Sequence, residues 1–382
     1  MHWTPRVVAA LGAASLAMSE AVGITAPNMT LALNQTGLLN LTLVMNFTMP
    51  LNRTWYKLDT TYDSLNFFDD FEFFTSKDPT NGYVDYVDRS TAQEAALIGH
   101  GQRNDSIIMS VDDKTVRPAK GRMSVRVTSK KTFNRGLFIA DIAHMPASAC
   151  GVWPAFWMFG PSWPTSGEID IIEGVSRQQQ TKISLHTAQG CSITNHGSMA
   201  TTMLEEANCE AGPASGGCGQ QTADSRNYGD GFNAVKGGVY ATEWTSDHIA
   251  VWFFPRSEIP GDVIDGRPDP KSWGMPTARF AGGYGCDIDS HFSNHSIVFD
   301  TTFCGDWAGL PQVWASDKYC AAQAPTCNSY VANNPAAFRE SFWEVNSIKV
   351  YELQKPMQRN QTRLPTSPYG VRGPWRAQKE EA

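Results

Sequence analysis

Three acids fall within six residues of this chain. They are Glu168, Asp170 and Glu173, in the run Gly167-Glu168-Ile169-Asp170-Ile171-Ile172-Glu173-Gly174. Two carboxyl groups about 5 Å apart suit retaining glycoside hydrolysis. One must be ionised to attack an anomeric carbon. The other must hold its proton near neutrality so that it can protonate the leaving oxygen. Like charges in close quarters push their proton affinities apart, which divides the two tasks. Acids interleaved only with isoleucine read equally well as a solvated strand face or a metal site, so the motif needs its surroundings.

The acids also need an element that aims them one way. A β-branched run favours strand. Side chains alternate along a strand, so Glu168 and Asp170 share a face and Glu173 falls one residue out of phase. A single β-bulge after Asp170 returns Glu173 to that face, and bulges often sit beside active sites.

The surroundings carry a resemblance. Glu168-Ile-Asp170-Ile-Ile-Glu173 follows the E-x-D-x-x-E pattern of glycoside hydrolase family 16, the laminarinase and lichenase family. Cys150-Gly-Val-Trp153-Pro-Ala-Phe-Trp157 is similar to that family's lead-in. Leu185-His186-Thr187, Tyr240-Ala-Thr-Glu-Trp244, Trp252-Phe-Phe-Pro255, Thr302-Phe-Cys304-Gly-Asp306-Trp307-Ala-Gly309, Phe342-Trp343 and Val350-Tyr351 continue the series in order. The resemblance covers about residues 55 to 353 and is nearest the fungal secreted branch.

It implies an antiparallel β-sandwich of the jelly-roll, concanavalin A-like type, with an open cleft. An open cleft implies endo attack on a polymer. The implied substrate is a β-1,3-glucan or mixed β-1,3/1,4-glucan. Glu168 is the implied nucleophile, Glu173 the acid and then the base, and Asp170 the residue that hydrogen-bonds Glu168 and orders the protonation events. No cofactor is implied. Some relatives hold a structural calcium away from the cleft, and no ligand set for one is legible here.

Further residues join the site by the same resemblance. Trp157 and Trp163 are expected to stack on glucose rings flanking the scissile bond. Trp157, like Trp153, lies in an apolar setting that also suits core. Trp163 lies between Ser162 and Pro164 and reads as a loop residue. His186 matches the family's cleft histidine, able to hold the acid/base or tune it. Trp307 sits in a turn-like context and is a candidate platform. In Met123-Ser-Val125-Arg126-Val127-Thr128 the apolar residues face the core, so Arg126 faces the other way, onto the cleft or into solvent.

Composition agrees with a loop-rich all-β protein. Charged residues make up 18% of the 382, and there are 32 glycines and 12 tryptophans. A net charge of -7 without a basic patch argues against nucleic acid. Repeated short alternating strands support the all-β class directly. Phe67–Phe74 reads as an early strand or turn over the core, residues 188–232 as a long clamped loop, and Phe342–Tyr351 as a closing strand pair.

The termini differ. Residues 1–23 read as a signal peptide: Arg6, then an apolar run from Val7 to Met18, then small residues. Asn28, Asn34, Asn40, Asn46 and Asn52 each begin an N-x-T sequon, spaced by six. Even spacing puts them on one side of an extended chain, which reads as a glycan-bearing stalk over residues 24–54 or as a chance tract in an apolar strand. Asn104, Asn294 and Asn360 begin further sequons. Residues 354–382 read as a disordered tail, and its polar end argues against a lipid anchor. Eight cysteines fit an oxidising compartment. No C-x-x-C occurs, which argues against zinc. Short loops favour Cys209–Cys218 and Cys320–Cys327, though eight cysteines allow 105 pairings.

The expectation is therefore a secreted, monomeric enzyme acting on β-glucan, with no membrane anchor. A cell-wall β-glucan transglycosylase uses the same residues. A non-catalytic, lectin-like glucan binder on the same scaffold and a glycosylated wall protein are the readings from other classes.

Overall fold

Alternating apolar residues build the sheet that carries the acids. In the lead-in strand Val152–Phe159, Phe156 and Met158 are buried in the core while Trp153, Trp157 and Phe159 face away from it. The signature strand Glu168–Glu173 pairs with one side of it and Ser296–Phe303 with the other. The whole sheet has eight strands, in the order Met203–Glu206, Cys218–Gln221, Ile183–His186, Glu168–Glu173, Val152–Phe159, Ser296–Phe303, Arg126–Ser129 and Phe71–Phe73. All of its pairings are antiparallel.

A second eight-stranded antiparallel sheet lies against it. Trp343–Gln354 pairs with Gly136–His144 on one side, and with Trp55–Asp63 and Ile107–Met109 on the other. Gly238–Trp244, His248–Pro255 and Ala278–Ala281 extend the sheet beyond Gly136–His144. Its inner face gives Phe138, Ala140, Tyr240, Val251, Ile348 and Val350 to the core shared with Ile169, Ile183, Leu185, Ile297 and Phe299. Its outer face is partly covered too, with Leu137, Ile139, Val239 and Trp252 packed under Val263 and Trp273. Burial on both faces explains why these strands read as nearly continuous apolar runs. Trp244 and Trp252 are both buried. This is the sandwich expected.

The structure, a computed structural model, describes residues 54–212 and 215–354, with the backbone of two short paired strands, Ala32–Leu33 and Leu39–Asn40. The chain divides into two units, Trp55–Gln354 being one, and residues 1–54 with 355–382 the other. The signal segment, the sequons of the 24–54 repeat apart from the backbone of Asn40, and the tail from 355 lie outside the described residues. Among the described residues no helix is long and apolar enough to cross a membrane.

Several local expectations change. Phe67–Asp70 is a helical turn that leads into the strand Phe71–Phe73. The 188–232 stretch is not only loop, since Met203–Glu206 and Cys218–Gln221 extend the site sheet and Gly229–Ala234 is helical. The closing pair is one strand of 12 residues, Trp343–Gln354. Residues 305–333 form four short helices, Gly305–Ala308, Pro311–Ser316, Lys318–Gln323 and Cys327–Asn333. The caps of the last two were in the sequence: Asp317 accepts from the backbone of Tyr319 and Cys320, and Thr326 forms a capping box with Ser329.

All eight cysteines pair, as Cys150–Cys320, Cys191–Cys286, Cys209–Cys218 and Cys304–Cys327. The expected short Cys320–Cys327 link is absent. Each of these cysteines, carried on its own helix, is tied back to an end of a sheet strand instead. Loop-closure entropy grows slowly with length, so a short loop is only a weak preference.

Candidate active site

The signature strand carries the expected bulge. Phe156 pairs with Ile172 while its neighbour Trp157 pairs with Asp170, so Ile171 is the extra residue. Ile169, Ile171 and Ile172 are therefore all buried in the core. Glu168, Asp170 and Glu173 emerge together on the opposite face. The local chemistry permits this because Ile171 fills core space while it opens the ladder. Gly167 precedes the strand at φ 77, and a Cβ there would lie 2.5 Å from the His291 carbonyl oxygen.

Each acid has a fixed neighbour. His186 lies opposite Glu168 in the ladder, with Nε2 3.2 Å from Asp170 Oδ2 and 3.9 Å from Glu168 Oε1. Gly217 backs the histidine, since a Cβ at that position would come within 2.5 Å of His186 Nδ1. Trp153 Nε1 donates to Glu173 Oε1 at 2.9 Å. The Glu173 backbone N–H donates to Thr181 Oγ1 at 2.9 Å, which anchors the end of the strand.

Burial governs the electrostatics. It pushes Glu168 up to about 8, with the Asp170 charge adding to it, while His186 and a hydrogen bond from Trp163 pull the other way. Asp170 is raised to about 8 by burial and then by Asp300. Glu173 is raised to about 7 by burial and by Asp170, against the Trp153 hydrogen bond. Three acids this close and this dry do not all ionise together. Glu173 has the lowest proton affinity of the three, the reverse of what a nucleophilic Glu168 and a proton-donating Glu173 need, so the roles of the two glutamates follow from their places in the motif and not from this order. What burial does supply is a centre in which ionised and protonated carboxyls coexist near neutrality, and retaining glycoside hydrolysis needs one of each.

The other residues expected at the site are spread around this centre. Trp157 faces away from the core, half-buried, with its Nε1 unpartnered. Trp163 is 54% exposed and its side chain hydrogen-bonds Glu168. Trp307 is half-buried, edge-on to Trp153 at 5.6 Å. Arg126 is on the face of the acids but only 6% exposed, its guanidinium 4.5 Å from the Phe74 ring centre and 5.0 Å from that of Trp157.

Three residues were not among those expected. Trp153 had read as core from its apolar context, yet it belongs to the same alternating set as Trp157 and Phe159. Asp300 lies in Ser296–Phe303, two strands from Glu173, and Tyr86 Oη donates to its Oδ2 at 3.3 Å. Alternation with Ile297 and Phe299 would have placed Asp300 on the open face. Nothing local marks Tyr86.

Glu168, Asp170 and His186 bring three ligand atoms within 4.8 Å of one another, a set that could hold a metal ion. Cys191, Cys286 and His291 cluster as closely, but both cysteines are oxidised to a disulfide and offer no thiolate.

Comparison with known proteins agrees with this geometry. The model of the XgeA-like catalytic domain of glycoside hydrolase family 16 matches residues 71–351. An endo-1,3(4)-β-glucanase of Arthroderma benhamiae is 48% identical over 287 residues, covering 74% of this chain and 62% of that protein. Endo-1,3(4)-β-glucanase xgeA of Emericella nidulans is 43% identical, over 74% of this chain and 45% of its own length. The chain thus spans less than two thirds of these relatives. Among solved structures, an elongating family 16 β-1,3-glucosyltransferase is 42% identical with a TM-score of 0.71, covering 78% of this chain and 100% of that one. Laminarinase 16A from Phanerochaete chrysosporium, solved with β-glucans in donor and acceptor sites, is 38% identical with a TM-score of 0.72 at the same coverage.

Proposed function

The chain belongs to glycoside hydrolase family 16, and from that premise we propose that it is a retaining endo-β-glucanase that hydrolyses β-1,3- or mixed β-1,3/1,4-glucans. The observation that carries the proposal is the bulge at Ile171, which puts Glu168, Asp170 and Glu173 on one face with an indole held to each glutamate.

Glu168 is the nucleophile. Its carboxylate attacks the anomeric carbon and forms a covalent glycosyl-enzyme while the glycosidic C–O bond breaks. Glu173 gives its proton to the departing oxygen, then takes one from the water that releases the sugar. Asp170, protonated beside Glu168, donates to the carboxylate and shares the load of the developing charge. His186, 3.2 Å from Asp170, holds that carboxyl in place. Trp157, Trp163 and Trp307 supply stacking surface for glucose rings.

Transfer to a sugar hydroxyl in place of water is the second reading, favoured by the 42% identity to an elongating glucosyltransferase. Reducing-sugar release from laminarin and lichenan tests the first reading, and chromatography of early products for chains longer than the substrate tests the second. No release from either glucan overturns the proposal.

Four disulfides support a secreted protein. On this reading residues 1–23 are a signal peptide, 24–54 a glycosylated stalk, 55–353 a monomeric catalytic domain and 354–382 a tail. Residues 55–354 expressed alone should keep most of the activity, and a dead fragment would make the stalk part of the domain.

A further inference from the structure

A buried carboxylate outside the motif stands in line with Glu173. The ladder pairs Glu173 with Ala155, Ala155 with Asp300, and Asp300 with Arg126. These four residues form one row across four strands, all on the open face. Glu173 and Asp300 are two strands apart, about 10 Å between backbones. Ala155, with its small side chain, is the residue between them in the row.

Asp300 is 7% exposed. Burying a carboxylate is costly, and a structural role does not explain the cost, because Asp300 faces away from the sandwich core. Its surroundings are built to hold it. Tyr86 Oη donates to Oδ2 at 3.3 Å. Arg126 stands opposite, fixed between the Phe74 and Trp157 rings, with its Nε unpartnered. The charged and titratable groups facing Asp300 are Arg126, Asp78, Glu173, Asp170 and Tyr86. The lead-in strand between it and Glu173 contributes Trp153, Ala155 and Trp157, none of which titrates.

We propose that Asp300 is a positioning residue for the reaction: held by the Tyr86 hydroxyl and facing Arg126 in the row of Glu173, it acts across Ala155 to help keep the acid/base carboxyl in its proton-bearing form. The inference rests on the reading of Glu173 as acid/base. Burial pushes Asp300 up to about 7, Arg126 draws it down, and Asp78 and Glu173 raise it again. Coupling between two acids is mutual, so whatever charge Asp300 carries makes Glu173 hold its proton more tightly, as it does Asp170.

The sign of the effect follows. Asp300→Asn keeps the shape and the oxygen that accepts from Tyr86, but removes the negative charge and leaves Arg126 unopposed. Both changes favour ionised Glu173. The alkaline limb of the kcat/KM profile on laminarin should therefore move to lower pH. Asp300→Glu should restore it toward the wild-type position. Tyr86→Phe removes the donor that favours the Asp300 carboxylate, so it should move the limb the same way by less.

These profiles, measured with thermal melting of each variant, decide the matter. An unmoved limb in folded Asp300→Asn overturns the inference. If that variant does not fold, the limb of Tyr86→Phe decides in its place, and no shift there overturns it equally. A wild-type protein inactive on glucan, or a fully active Glu173→Gln, instead overturns the functional reading on which the inference stands.

Discussion

The Trp153 indole donates its N–H to Glu173 Oε1 at 2.9 Å, so the proposed acid/base is held from the strand next to its own. A hydrogen bond to the ionised form lowers a carboxyl's proton affinity, and here it opposes burial. Trp153→Phe keeps the ring and removes the donor. Glu173 should then hold its proton to higher pH, and the alkaline limb of kcat/KM should move up. The shift should be about one unit or more, since such a bond contributes ~1.5–3 kcal/mol and a unit corresponds to ~1.4 kcal/mol. The direction is opposite to that expected for Asp300→Asn, so the two profiles check each other. A downward shift in Trp153→Phe would contradict the role given to the bond.

The two glutamates should fail differently. Glu168→Ala removes the nucleophile and leaves a gap that azide can enter, giving an α-configured glycosyl azide. Glu173→Ala keeps the nucleophile and loses the proton donor. It should lose at least about a hundredfold on polysaccharide, the usual worth of general acid catalysis, but little in the glycosylation step with an aryl glycoside whose phenolate leaves unaided. Azide should then speed its turnover and give the β-azide. Proton NMR of the products distinguishes the two, and the reverse pattern exchanges the roles.

Trp163 and Trp307 should separate as well. Trp163 is exposed yet hydrogen-bonded to Glu168, so Trp163→Ala should raise KM and also lower kcat. Trp163→Phe should recover most of the KM and little of the kcat, because stacking binds ground and transition states alike. Trp307 packs edge-on against Trp153. Its loss should loosen the Glu173 partner and lower kcat more than stacking alone predicts. Steady-state kinetics on a laminarin oligosaccharide series reads both, and an unchanged kcat in Trp307→Ala would leave it as a platform only.

The link Cys304–Cys327 closes a loop of 23 residues around the segment that carries Trp307. Replacing both cysteines by alanine should cost about 3 kcal/mol, the loop-closure value for such a length. Denaturant unfolding should show it. Activity at 25 °C should fall with it, because the Trp153–Trp307 contact depends on that segment. Replacing Cys209 and Cys218, only nine residues apart, should cost less stability.

Much of the centre was legible in the sequence because it is local. Three acids on one strand, a one-residue phase error and the bulge that repairs it are all consequences of a period of two. The same alternation separates Val125 and Val127 from Arg126, and Phe156 and Met158 from Trp157. It fails to separate core from site only where every residue is apolar or aromatic, which is why Trp153 read as core.

What the tertiary structure decided is non-local. Strand order made neighbours of Glu173, Ala155, Asp300 and Arg126, which span residues 126 to 300 in the chain. It also joined Tyr86 to Asp300 across 214 residues. Cysteine pairing kept the short Cys209–Cys218 loop but tied Cys320 and Cys327 to strand ends instead of to each other. Periodicity determines which way a side chain points. Only pairing between distant strands determines what it meets, and the proton affinities of this site depend on those meetings.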